Sequence, residues 1–221
     1  MVVPPCWFRL PPGFIDLAPG ALPELRDQLI EDLAVVCPDP LLRDQRMRES
    51  EALLGLLSDL QEQGTMHISL GLHRGDDAEV TTSVLTLSNV PTKAPTATLA
   101  AAHCALLLVL KPMGSVVHRE LLDLPCRSPA ALVSCLLSNV PMDVLPLAGA
   151  QTDDAEVFQA RLGVARPTGS DVLVVDLTTT ALDHAEDYTE ILRGIGQTIS
   201  FTDPTPQLPA PRQSRLWEAM Q

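Results

Sequence analysis

Residues 171–201 read DVLVVDLTTTALDHAEDYTEILRGIGQTISF, and this stretch decides the fold. Leu173, Val175 and Leu177 form one face of an extended run, while Val172 and Val174 begin the other before it turns polar. A strand that is apolar on both faces over half its length belongs in the middle of a sheet covered on both sides. The segment after it carries Tyr188, Ile191, Leu192, Ile195 and Ile199 as one helical stripe. Asp183 with Glu186 three residues on reads as a capping box, its carboxylates suited to the positive end of the helix dipole. Gly194 and Gly196 each cost roughly 1 kcal/mol against alanine in a helix interior, so both are expected where helix and sheet approach closely. Their G-x-G spacing is not a phosphate loop, because it lies late in a helix rather than at a strand-to-helix turn.

Upstream, Phe158, Ala160, Leu162 and Val164 alternate with Gln159, Arg161 and Gly163, and Arg166-Pro167-Thr168-Gly169 supplies a turn into the strand at Asp171. A second hairpin is signalled earlier: Met66, Ile68, Leu70 and Leu72 alternate with His67, Ser69, Gly71 and His73. Residues 74–77 then turn the chain back into 79–89. His67 and His73 fall opposite the Met-Ile-Leu row and are expected to face solvent. Six strand residues separate them by ~20 Å, too far to share one metal. Residues 116–140 read as two extended segments around Pro125–Pro129. The second, AALVSCLLSNV, also suits a helix by periodicity, and the prolines at both ends favour a strand, while 141–155 reads as an irregular acidic loop.

The remaining elements are helical or irregular. Pro95-Thr96 opens a helix that is apolar all round through Leu110, which marks burial on most sides or an oligomer interface. Leu22, Leu25, Leu29, Leu33 and Val36 stripe a helix at 22–37; a second runs to Gln63 with Gly64 as its cap. Near the start, CWFRLPPGFIDL reads as two short extended pieces joined at Pro11-Pro12-Gly13, an edge hairpin plugging one end of the core. After Thr202, DPTPQLPAPRQS is proline-rich and reads as a flexible tail. It ends in RLWEAMQ, one amphipathic helical turn.

Composition limits the partners. Of 221 residues, 46% are hydrophobic and 19% charged, so a large core is expected rather than disorder. Aromatics at 3% and a net charge of -13 argue against nucleic acid and anionic membranes. The acidic residues spread along the helices read first as a solvated surface, and an acidic face that docks a basic partner is the sharper reading. As a helix, Ala97–Leu110 would rise ~21 Å against a ~30 Å hydrocarbon core. MVVPPCWF lacks a signal-peptide pattern, and Cys6, Cys37, Cys104, Cys126 and Cys135 have no paired spacing. A cytoplasmic protein with reduced, mostly core thiols is expected.

FRLPPGFIDL at 8–17 and the stretch 171–201 resemble the PsbP-like superfamily, which includes extrinsic photosystem subunits, a yeast Ran-binding import factor and actinobacterial LpqN lipoproteins. The resemblance covers about residues 5–203 and lies in patterns of apolar residues. It implies an α+β fold, an antiparallel β-sheet sandwiched between helices, used as a non-catalytic docking module. No functional residue is carried over, because the superfamily shares no catalytic motif. The chain departs from the lipoprotein members in lacking a leader, in a helical pair inserted at 22–63, and in its tail. The expected organisation is one domain over 1–203 and a tail over 204–221.

The function expected is a non-enzymatic adaptor of a bacterial, actinobacterial assembly, with a protein partner. Leu216, Trp217 and Met220 of the tail are its candidate docking residues. No catalytic, cofactor-binding or metal-binding residue is assigned, and no cofactor is expected. A small hydrolase without a local signature is the alternative, as is a carrier of an apolar ligand walled by Ala97–Leu110. His103 and Cys104, adjacent in a helix, point about 100° apart and do not form a thiolate–imidazole pair. Apolar helix stripes also suit a homodimer.

Overall fold

A computed structural model describes residues 5–17, 26–27, 40–41, 47, 54–55, 58–60, 62, 64–74, 80–92, 94–110, 114–140, 155–167 and 171–204. Its strands are β1 (Phe14–Asp16), β2 (Thr65–Arg74), β3 (Val80–Pro91), β4 (Gly114–Asp123), β5 (Pro129–Val140), β6 (Ala155–Ala165) and β7 (Asp171–Thr179). Its helices are α1 (Ala97–Leu110) and α2 (Ala185–Thr198), the latter preceded by a 3-10 turn at Leu182–His184. The seven strands form one antiparallel sheet in the order β1-β2-β3-β7-β6-β5-β4, an α+β arrangement. β7 is its central strand, as its two-sided apolar character requires.

The two helices cover opposite faces. On one, Leu85 and Leu87 of β3, Leu173, Val175 and Leu177 of β7, and Phe158, Ala160 and Leu162 of β6 pack beneath Tyr188, Leu192 and Ile195 of α2. On the other, Ala100, Ala101 and Cys104 of α1 sit on Ala165, Val172 and Val174. Small residues bring α1 close: a β-carbon on Gly163 would stand 2.5 Å from Cys104 Sγ. Where β7 turns polar on this face, Asp176 accepts hydrogen bonds from Gln159, Thr178 and Arg161, the last at 2.5 Å.

Several expectations change in three dimensions. The capping box does not form; His184 is the N-cap of α2 without a side-chain hydrogen bond, because Asp183 is taken into the 3-10 turn. Of the two helix glycines only Gly196 meets the sheet, its β-carbon position 2.7 Å from Leu162 Cδ2, while Gly194 faces open space. The N-terminal pieces do not pair with each other. Trp7 exchanges backbone hydrogen bonds with Ser200 at 2.9 and 2.8 Å, while Phe14–Asp16 pairs with β2. In the first half of α1 only Ala97, Ala100, Ala101 and Cys104 turn toward the sheet; Leu99 remains 52% exposed, so this half is one-sided rather than buried all round.

Most of the inserted pair at 22–63 lies outside the described residues, although the positions described there are helical, Arg26–Asp27 and Ser58–Leu60 among them. Gly64 takes the left-handed φ of +89° expected of a helix-ending cap. The acidic loop at 141–154 and the tail from 205 onward, with Leu216, Trp217 and Met220, also lie outside the described residues.

Candidate functional site

The register of the second hairpin turns the histidine row of β2 inward rather than to solvent, while Ile68 of the apolar row is buried as expected. Ser69 pairs with Leu85 and His67 with Leu87, and directly opposed residues of an antiparallel pair share a face. His67, Ser69, Gly71 and His73 therefore point toward the core under α2, while Leu72 is 42% exposed on the other side. The polar side satisfies itself. His67 Nε2 lies 2.6 Å from Ser69 Oγ, and its Nδ1 lies 3.5 Å from Asp16 Oδ1. His73 Nε2 is 3.4 Å from Ser83 Oγ, and Thr81 Oγ1 is 2.7 Å from the Tyr188 hydroxyl. Phe8 stands edge-on to His67, and Phe14 and Tyr188 stand edge-on to His73.

Asp16, His67 and Ser69 have the order of an acid, a base and a hydroxyl nucleophile, a grouping that local motifs in the sequence did not display. Access distinguishes it from a working triad. Ser69 is 0% exposed within a strand paired on both sides, and a nucleophile must reach a substrate carbonyl. Cysteine alternatives fare no better, since burial raises the thiols of Cys6, Cys104 and Cys135 and disfavours the thiolate. His103 is exposed while Cys104 is buried against the sheet, so that neighbour pair diverges as expected.

Burial lowers the pKa of His73 and of His67; at His67 the Asp16 carboxylate opposes the shift without cancelling it. The groups around His73 are Phe14, Tyr188 and Ser83, none of which is charged. Both imidazoles thus favour the neutral form when folded, and the unfolded chain takes up protons first on acidification. Their contribution to stability is complete above about pH 6.5 and is lost as pH falls through the lowered folded values. Urea unfolding should therefore show a lower midpoint at pH 5 than at pH 7.5, and His73→Gln should reduce that difference. A midpoint that rises on acidification would contradict the assignment.

An accessible site lies at the other end of the α2 face. α2 packs over β6 and β7, so β5 and the edge strand β4 project beyond it. The resulting cleft of about 360 Å³ is lined by residues of β4, β5, β6 and α2. Phe158 contributes an apolar wall, together with Val117 and Ala185; Ser134, 1% exposed, lines it from β5. α2 supplies Glu186, Thr189, Glu190 and Arg193. Arg193 is held on both sides, by Glu190 on its own helix and by Glu120 Oε2 of β4 at 2.6 Å. These bonds, and His118 Nε2 at 3.3 Å, hold the Glu120 carboxyl below its usual range. Glu190, followed by Glu120, raises the Arg193 guanidinium.

Among the described residues nothing pairs with the outer edge of β4, and Val116, Val117 and Leu121 of that strand are 40%, 58% and 76% exposed. A bulge between Val116 and His118 puts Val117 and His118 at the cleft together, which the plain alternation of the sequence does not indicate. No group of histidine, cysteine and acidic side chains among the described residues is arranged to hold a metal ion. No described helix is long and apolar enough to cross a membrane. No protein-family model matches the chain, and no curated protein matches it.

Proposed function

We propose that the protein is a non-enzymatic interaction module of the PsbP-like kind, acting in the bacterial cytoplasm and docking a protein partner along β4. The observation that carries this reading is the outer edge of β4, unpaired among the described residues, with Val117 exposed at an acidic cleft and Leu121 exposed on the opposite face of the same strand. Exposed apolar residues on a strand with one open edge suit the addition of an extended partner segment, whose backbone extends the ladder. The net charge of -13 favours a basic partner.

Cross-linking capture from native lysate at physiological salt should recover a stoichiometric partner with the wild-type chain and lose it with Val117→Glu/Leu121→Glu. Capture unchanged by that pair overturns the β4 contact. Loss with Trp217→Ala instead moves it to Leu216, Trp217 and Met220 of the tail. A hydrolase is the second reading, favoured by the Asp16–His67–Ser69 geometry. A fluorophosphonate probe is expected to leave Ser69 unlabelled, and a label there would replace the docking reading.

A further inference from the structure

We infer that the cleft between α2 and β4 receives the ammonium end of a lysine side chain carried by the partner segment. The inference rests on the docking reading above and adds the chemistry of what is docked. The lining is rich in acceptors and poor in free donors. Glu186 and Glu190 enter it from α2, and Glu120 stands beside it on β4. Against these three carboxylates stand Arg193, already bonded to Glu120 and Glu190, and His118, bonded to Glu120. Glu186 has no ion-pair partner among the described residues.

The hydroxyls add to this. Thr189 Oγ1 donates to Ala185 O at 2.9 Å, so only its lone pairs remain for a ligand. Ser134 is 1% exposed and lines the cleft, yet no hydrogen bond among the described residues engages its hydroxyl. Its oxygen is therefore available to accept from a donor that enters the cleft. An anion would find the Arg193 guanidinium occupied by Glu120 and Glu190, and the further carboxylate of Glu186 beside it.

Lysine fits the mixture better than arginine. Its compact ammonium carries three rotatable donors, which suits acceptors spread over a helix and a strand, whereas a guanidinium prefers a coplanar fork. Its four-carbon stem has an apolar path along Val117 and Phe158. A segment paired beside β4 directs alternate side chains to the α2 face, where the cleft opens at the edge strand.

n-Butylammonium reproduces the lysine end and serves as the probe, titrated into the full chain and read by amide chemical shifts. n-Butyrate and n-butanol are the controls. Shifts are expected at residues 117–118, 134 and 185–193 with butylammonium alone, and Glu186→Gln should weaken the binding several-fold. Ser134→Ala should weaken it too, and an unchanged amide spectrum elsewhere verifies that each variant is folded. Equal shifts with butyrate, no shifts at these amides, or binding indifferent to Glu186→Gln would overturn the inference. A partner captured through β4 while butylammonium stays silent sinks the cation site alone. A cleft that binds butylammonium while Val117→Glu/Leu121→Glu captures the same proteins sinks the docking reading, and with it the lysine's source.

Discussion

Leu162→Ala is expected to lower the unfolding free energy by about 2–5 kcal/mol, the range for truncating a buried leucine. Leu162 is 0% exposed on β6, paired between Leu132 of β5 and Val175 of β7. One of its methyls lies against Gly196, where α2 approaches the sheet most closely. Removing that side chain opens a cavity in a layer whose floor is hydrogen-bonded strand and cannot collapse. Helix α2 is the part free to settle, so the cost should approach the upper end if the helix stays in place. A domain of this kind has only about 5–15 kcal/mol in hand, so the loss is readily seen in urea unfolding. Leu162→Met, which nearly conserves volume, should cost less than about 1.5 kcal/mol. A Leu162→Ala cost below that of the methionine variant would mean that the core is not organised around this contact.

Gly71→Ala should destabilise the fold by about 1–3 kcal/mol, the cost of overpacking a filled site. Strand propensity alone predicts the opposite sign, because glycine in a strand interior loses backbone entropy and packs nothing. The tertiary surroundings decide the matter. A β-carbon there would overlap Ser83 Oγ, stand 2.5 Å from His73 Nε2, and stand 3.0 Å from the Phe14 ring. Relief requires displacing His73, which lies edge-on between Phe14 and Tyr188, so β1 and the cluster beneath the start of α2 loosen together. The measurement is a comparison of unfolding midpoints, together with amide exchange at Phe14–Asp16, which should quicken. A stabilised Gly71→Ala variant would show that the strand's own preference outweighs the packing.

The candidate site was only partly legible. In residues 116–140 periodicity left the second segment open between helix and strand, proline punctuation favoured the strand, and β4 and β5 are both strands. Nothing local marks β4 as an edge strand, because strand order depends on which distant segments pair. Nor could spacing place Ser134 of β5, Phe158 of β6 and Arg193 of α2 around one cleft. The same holds for Glu120 and Arg193, 73 positions apart in the chain and joined by a hydrogen bond.

What the sequence determined by itself was period and length. Two-residue alternation in β2 and β6, the two-sided apolar run of β7 and the stripe of α2 are local statements, since side-chain direction follows backbone repeat. The choice of face needed the tertiary structure. In β2, Met66, Ile68, Leu70 and Leu72 were the apparent core row; Ile68 is 1% exposed and Met66 packs at the rim of the α2 core, yet the His67–His73 row is buried as well and meets α2. Register with β3 set that choice, and the buried polar row is tolerated because Asp16, Ser83 and Tyr188 arrive from three other elements to complete its contacts. Alternation says that a strand has two faces; only the partners that cover it say whether one or both are inside, as Ile68 and Ser69, buried on opposite faces of β2, demonstrate.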